Sequence, residues 1–130
     1  MILSPGSDLP ESPSTLRVLF VCAMNQWRSP TAEQLYRNDT RLQVRSAGTR
    51  TEARRRVSEA DLAWADVVFV MDRNQKHWIR ERFRALDLPD IRVLDVSDEF
   101  EYMDPRLQAA LRAVIDPEIK ALLQSDDSKG

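Results

Sequence analysis

The sequence predicts a single α/β domain with a doubly wound, four-stranded parallel sheet and helices on both faces. Short apolar runs without alternation, Val18–Val21 and Val67–Met71, read as strands covered on both sides. Between and after them lie stretches whose apolar residues recur at helical spacing, so strands and helices alternate along the chain. At 130 residues and 42% hydrophobic content, the chain has a one-domain length with enough apolar material for one core.

Residues 1–15 are rich in Pro, Ser and Asp and lack periodicity, which predicts a flexible tail ahead of a domain over 16–124. The first strand stops at Cys22. A helix is expected over about Pro30–Arg37, with Ser29 as its N-cap, Pro30 in its first turn and Ala32, Leu35 and Tyr36 facing inward. Leu42–Val44 alternates into a second strand whose tip is Ser46-Ala47-Gly48, small residues that let backbone approach the neighbouring loop. A short helix follows around Glu59–Ala65. The third strand is left through Asp72, and a helix over about Asn74–Phe83 presents Trp78, Ile79 and Phe83 as a core stripe. Ile91–Asp95 is the fourth strand. An amphipathic helix starts at Pro105 and carries Leu107, Ala110, Leu111 and Val114, with a kink or restart expected at Asp116-Pro117 before Ile119, Leu122 and Leu123. Residues 125–130 read as a polar tail.

A net charge of −2 gives no global pull towards nucleic acid or a membrane surface. No apolar run approaches 18 residues, and Met1-Ile2-Leu3 is too short and uncharged to open a secretory signal. One cysteine permits no internal disulfide, which fits a reducing, cytoplasmic setting. The single histidine, His77, sits among charged residues on a helix, so no Cys-His pair is evident, nor any metal-ligand set. Neither a metal nor another cofactor is expected.

The stretch that carries chemistry is the join between the first strand and first helix. Residues 23–28 form a short loop whose N–H groups, with the following helix N-terminus, converge as a cradle for phosphate. Ala23, Met24, Asn25, Gln26, Trp27, Arg28 and Ser29 are therefore the expected anion-binding residues. Arg28 adds a fork of donors matched to two phosphate oxygens, and a thiol held in that field favours its ionised, nucleophilic form. The spacing Cys22-x5-Arg28-Ser29 thus reads as phosphoryl transfer to sulfur. Asn25 suits a left-handed backbone position, and Ser29 either bonds the sulfur or caps the helix. The ordinary reading of a lone cysteine after a strand, a small buried hydrophobe, loses ground to this context.

Val18-Leu-Phe-Val-Cys-x-x-Asn-x-x-Arg-Ser-Pro-x-Ala-Glu33 resembles the phosphate loop of the low-molecular-weight protein tyrosine phosphatases, whose fold is shared by thioredoxin-linked arsenate reductases. Val44-Arg-Ser-Ala-Gly-Thr49 and Ala65-Asp-Val-Val-Phe-Val-Met-Asp72 resemble that family's second and third strands, in the same order. The resemblance spans about residues 16–115. It implies a sheet order of 2-1-3-4, a phosphocysteine intermediate, and phosphorylated protein or small aryl phosphates as substrate. Arsenate reduction fits poorly, because the thioredoxin-linked relatives pass a disulfide through additional cysteines. A phosphoanion-binding or regulatory module with little turnover is the alternative from another class.

Several features depart from the family pattern. Met24 replaces a usual glycine, Trp27 stands where many members have a second cysteine, and the segment after Thr49 is short. The aromatic pair that often follows the catalytic aspartate is missing. Arg50, Arg54, Arg55 and Arg56 in the short segment read first as a solvated charged face and second as a rim for acidic substrate flanks. The family's general acid is an Asp-Pro just past the fourth strand. Here the literal pair is Asp104-Pro105, a natural helix cap, whereas Asp95 ends the strand and Asp98 lies on the loop; Asp98 is the favoured acid, with Asp104 next.

Overall fold

The computed structural model describes residues 15–129. The expected tail over 1–15 therefore lies almost wholly outside the described residues. Four strands and four helices alternate: β1 (Leu16–Cys22), α1 (Arg28–Tyr36), β2 (Leu42–Gly48), α2 (Glu59–Trp64), β3 (Val67–Val70), α3 (Arg73–Arg82), β4 (Asp90–Val93) and α4 (Pro105–Lys129). All strand pairs are parallel and the order is β2-β1-β3-β4, as the resemblance implied. In register, Cys22 lies beside Gly48, so the ends of β1 and β2 meet at one edge of the site.

The strand β1 shows why its run is apolar throughout. Val18, Phe20 and Cys22 face one core with Ala32 and Tyr36 of α1 and Leu107, Leu111, Ile115 and Ile119 of α4. Leu19 and Val21 face the other, with Leu62 of α2, Ile79 of α3 and Val68 and Val70 of β3. Two-sided burial thus sets the central strands and puts their carboxyl ends, where open α/β sheets bind ligands, on one rim.

Several boundaries differ from the sequence reading. α1 starts at Arg28, and its N-cap position is Trp27 with no side-chain cap, because Ser29 is turned inward to other partners. β4 stops at Val93: Asp95 has φ 62°, a left-handed conformation that takes the chain out of the sheet. No break or restart occurs at Pro117, which lies inside α4. The proline costs about 3 kcal/mol in a helix interior, and burial of Ile115 and Ile119, about 1.5–3 kcal/mol each, offsets it. The helical backbone continues to Lys129, through residues read from sequence as a polar tail. Trp78 is only half-buried, packing edge-on against Phe83 at 5.8 Å with its other side open to a cleft, so it is not simply core.

The short segment after β2 is tied down by Asp61. This carboxylate is 1% exposed and closes a capping box with Ser58 at the start of α2. It also receives Arg45 at 3.2 Å and a short hydrogen bond from Arg55. Burial pushes its pKa up, but the hydrogen bonds from Arg55 and Ser58 and the Arg55 charge outweigh that, and the net shift is downward. A lowered folded pKa stabilises the native state above the unfolded value and loses that contribution as the pH falls through the folded one. Asp61→Asn should therefore cost about 2–3 kcal/mol near neutral pH, in urea unfolding. The wild type's advantage should shrink as the pH drops below the ordinary aspartate value of 3.8, and a constant gap down to strong acid would contradict this account.

Candidate active site

The loop between β1 and α1 is shaped by where its carbonyls go. The Cys22 and Ala23 carbonyls accept from Thr49 N–H, at 3.1 and 2.9 Å, and Ala23 also accepts from Arg50 N–H at 3.0 Å. The Met24 carbonyl accepts from Arg54 N–H at 3.1 Å, and the Asn25 carbonyl from Arg54 Nε at 3.1 Å. Consecutive carbonyls are thus drawn to the 49–54 segment. None of the backbone N–H groups from Ala23 to Ser29 donates to a protein acceptor among the described residues. Peptide planarity turns N–H groups away from carbonyls, so this pinning leaves the loop and the first turn of α1 rich in free donors, a nest suited to an oxyanion.

Two residues make the shape possible. Asn25 has φ 52°, the left-handed position that its residue type tolerates, and is 1% exposed. Gly48 passes so close to the loop that a Cβ there would lie 2.7 Å from the Ala23 carbonyl oxygen, 2.9 Å from Asn25 N and 2.6 Å from Ala53 Cβ. This is the close approach that the small Ser46-Ala47-Gly48 tip foretold.

Beneath the loop runs a buried polar chain. Ser29 Oγ lies 3.0 Å from Cys22 Sγ and accepts from Asn25 Nδ2 at 3.1 Å. The Asn25 amide also donates to Ser46 Oγ at 2.9 Å, and Ser46 Oγ donates to Glu33 at 2.5 Å. Between the two expected roles of Ser29, the hydrogen bond to sulfur is the one present. Asn25 and Ser29 therefore turn their side chains to the back of the loop, not into the cavity at its front.

That cavity has a volume of about 100 Å³ and is lined by Cys22, Ala23, Met24, Gln26, Trp27, Arg28 and Asp98. Arg28 is 6% exposed; its Nη1 donates to the Val96 carbonyl at 2.9 Å and lies 3.4 Å from Asp72. Its Nε and Nη2 have no protein acceptor among the described residues. Asp72 is itself held as the N-cap of α3, accepting from Asn74 N–H at 3.1 Å and Gln75 Nε2 at 3.0 Å. The guanidinium is thus oriented from behind, with donors left over.

Of the three aspartates considered as general acid, only Asp98 lines the cavity with Cys22. Asp104 caps α4, accepting from Arg106 N–H at 2.8 Å, and hydrogen bonds from Arg106 hold its carboxyl below the usual carboxylate range. That direction is opposite to what an acid needs. Asp95 is exposed and lines no part of the cavity. The arginine run divides. Arg54 and Arg55 brace the loop and β2, Arg55 Nη1 donating to the Ser46 carbonyl at 2.7 Å, whereas Arg50 and Arg56 line an adjoining cleft. Sequence reasoning missed the clamp by segment 49–54, the Val96 carbonyl, and the roles of Asp72 and Glu33. The first two are backbone groups without a residue signature; Asp72 and Glu33 stood within the quoted motifs.

No protein-family model matches the sequence, and no curated protein matches it. Solved structures do. The YwlE arginine phosphatase from Geobacillus stearothermophilus is 26% identical, with 88% of this chain and 94% of that one covered and a TM-score of 0.63. A low-molecular-weight phosphotyrosine phosphatase from Vibrio cholerae is 25% identical over 88% of this chain and 99% of that one, with a TM-score of 0.53. The low-molecular-weight protein tyrosine phosphatase from Streptococcus pyogenes, 17% identical over 83% and 93%, superposes with a TM-score of 0.65 and so shares the fold. The resemblance read from the loop is borne out at the level of fold: the chain is similar, over most of its length, to low-molecular-weight protein tyrosine phosphatases and arginine phosphatases. Among the described residues no cluster of three or more His, Cys, Asp or Glu could hold a metal ion, and no helix is long and apolar enough to cross a membrane.

Gly48→Ala tests the loop's construction. Two of the three clashing atoms are loop backbone, so the loop must move. We expect about 1–3 kcal/mol of destabilisation in thermal unfolding. Affinity for vanadate should fall by about tenfold or more, since displaced donors no longer converge. Unchanged vanadate binding would mean that the close approach does not shape the nest.

Proposed function

We propose that this chain hydrolyses phosphomonoesters, phosphotyrosine in proteins or small aryl phosphates, through a phosphocysteine intermediate. The observation that carries the reading is that one small cavity is lined together by Cys22, Arg28 and Asp98, beside backbone donors without protein partners. The Cys22 thiolate attacks phosphorus in line, forming the S–P bond as the bond to the leaving oxygen breaks. Asp98 gives its proton to that oxygen. The resulting carboxylate then takes a proton from water, whose oxygen attacks phosphorus and breaks the S–P bond, releasing inorganic phosphate and the thiolate. Free Arg28 donors and the loop N–H groups stabilise the equatorial oxygens through both steps. Trp27, on the cavity wall and 37% exposed, offers an aryl ring a face to pack on.

A second reading, hydrolysis of phosphoarginine, draws support from the 26% identical arginine phosphatase and from Gln26 and Asp98 at the cavity, both able to accept from a guanidinium. Matched phosphotyrosyl and phosphoarginyl peptides decide between them by kcat/KM. Turnover of neither, with phosphate binding retained, would favour a phosphoanion-binding module.

Cys22→Ser should abolish turnover while fold and vanadate binding persist. Arg28→Lys should lower kcat/KM by about a hundredfold or more, because an ammonium cannot reproduce the fork and leaves the Val96 carbonyl and Asp72 differently paired. Rates near wild type in either variant would remove that residue from the mechanism.

The leaving group tests the acid. Asp98→Asn should slow hydrolysis of esters with poor alkoxide leaving groups far more than nitrophenyl esters, and should erase the basic limb of the pH–rate profile. Asp104→Asn should keep both the helix cap, since an amide oxygen accepts from Arg106 N–H as a carboxylate does, and the profile. The reverse pattern would move the role to Asp104.

A further inference from the structure

We infer that Arg50, Arg56 and Trp78 form a subsite that recognises an anionic side chain close to the phosphorylated residue of a polypeptide substrate. The inference rests on the phosphatase reading above. Its starting point is the cleft of about 490 Å³ that shares Ala23, Arg28 and Asp98 with the catalytic cavity and extends to Arg50, Arg56 and Trp78. A group bound there touches the same loop that holds the phosphate.

The four arginines of residues 50–56 do unlike work. Arg54 and Arg55 are engaged, the first on the Asn25 carbonyl and the second on the Ser46 carbonyl and Asp61. Arg56 makes no ion pair or hydrogen bond through its side chain among the described residues; its guanidinium lies 5.4 Å from the centre of the Trp78 ring. That stacking orients the charge without neutralising it. Its backbone is placed too, since residue 56 bridges to Gly48 and Val57 N–H donates to the Gly48 carbonyl at 2.9 Å. Arg50 has only Glu52, at 3.6 Å with both side chains more than 60% exposed, a pairing that solvent weakens.

The other carboxylates of the cleft do not cancel this charge. Asp72 is taken by Arg28, Asn74 and Gln75, and Asp98 belongs to the catalytic cavity. The cleft therefore offers two cations, one on an aromatic shelf, next to the cavity proposed to take the phosphate. A carboxylate or a second phosphate on the substrate chain meets that chemistry equally; a small aryl phosphate without a second anionic group has nothing to offer either arginine.

The test uses phosphotyrosyl and phosphoarginyl peptides, each made with Glu, phosphoserine, Gln or Lys at the positions flanking the phosphorylated residue. For the series that is turned over, kcat/KM for Glu over Gln peptides should be about fivefold at low salt, with the gain mainly in KM, and should collapse as ionic strength rises. Phosphoserine flanks separate a phosphate preference from a carboxylate one. In Arg50→Gln/Arg56→Gln the ratio should fall to about one. The Lys/Lys variant should restore part of it, and Arg84→Gln, outside the cleft, should leave it intact. A ratio near one in the wild type, or a preference that survives the double Gln variant, overturns the subsite. If no peptide is hydrolysed, the phosphatase reading fails separately, and the same Glu-to-Gln comparison in binding to Cys22→Ser decides the subsite.

Discussion

The site depends on one constraint: the carbonyls of residues 22–25 are held away from the cavity that Cys22 and Arg28 line. A planar peptide points its N–H and C=O in opposite directions, so a loop presents converging donors only if something else takes its acceptors. Here the something is the segment after β2, whose Thr49, Arg50 and Arg54 N–H groups and Arg54 guanidinium take them in turn. The pairing of Cys22 with Gly48 in the sheet brings the two segments together, and a missing side chain at Gly48 lets them close.

Around that clamp, polar groups that would be costly to bury are joined into chains. The series Glu33, Ser46, Asn25, Ser29 and Cys22 runs from α1 through β2 to the sulfur, each step within 3.1 Å. In a low-dielectric interior such a chain stiffens the loop only when every member is satisfied, and it fixes which hydroxyl faces the thiol. Arg28 follows the same rule from the other side: burying a guanidinium is tolerable because Val96 and Asp72 meet one nitrogen. The remaining donors stay available to an oxyanion. Electrostatics and packing therefore act on the same atoms.

The arginine run shows how one sequence feature can hold two kinds of residue. As a string, Arg54-Arg55-Arg56 is a block of charge, and a block of charge is ordinarily solvated. In the fold the chain turns between them, so that Arg54 meets a loop carbonyl, Arg55 meets buried Asp61, and Arg56 lies over Trp78. No periodicity distinguishes them, because their partners lie up to 29 residues away in sequence.

The sequence by itself determined the fold class and the centre of the site. Two-sided burial imposes an unbroken apolar run on β1 and β3, and the loop after β1 draws its cysteine, its arginine and its helix start from one short stretch, so both are written locally. Alternation of strands with helices then left few topologies open. Tertiary structure decided what depends on distant partners. It turned Ser29 from a helix cap to the sulfur, carried α4 across Pro117 because buried isoleucines flank it, and took Asp95 out of line with a left-handed backbone. It also set Asp98, not the literal Asp104-Pro105 pair, beside Cys22 in the cavity, since a loop's reach is fixed by the elements at its two ends and not by its own residues.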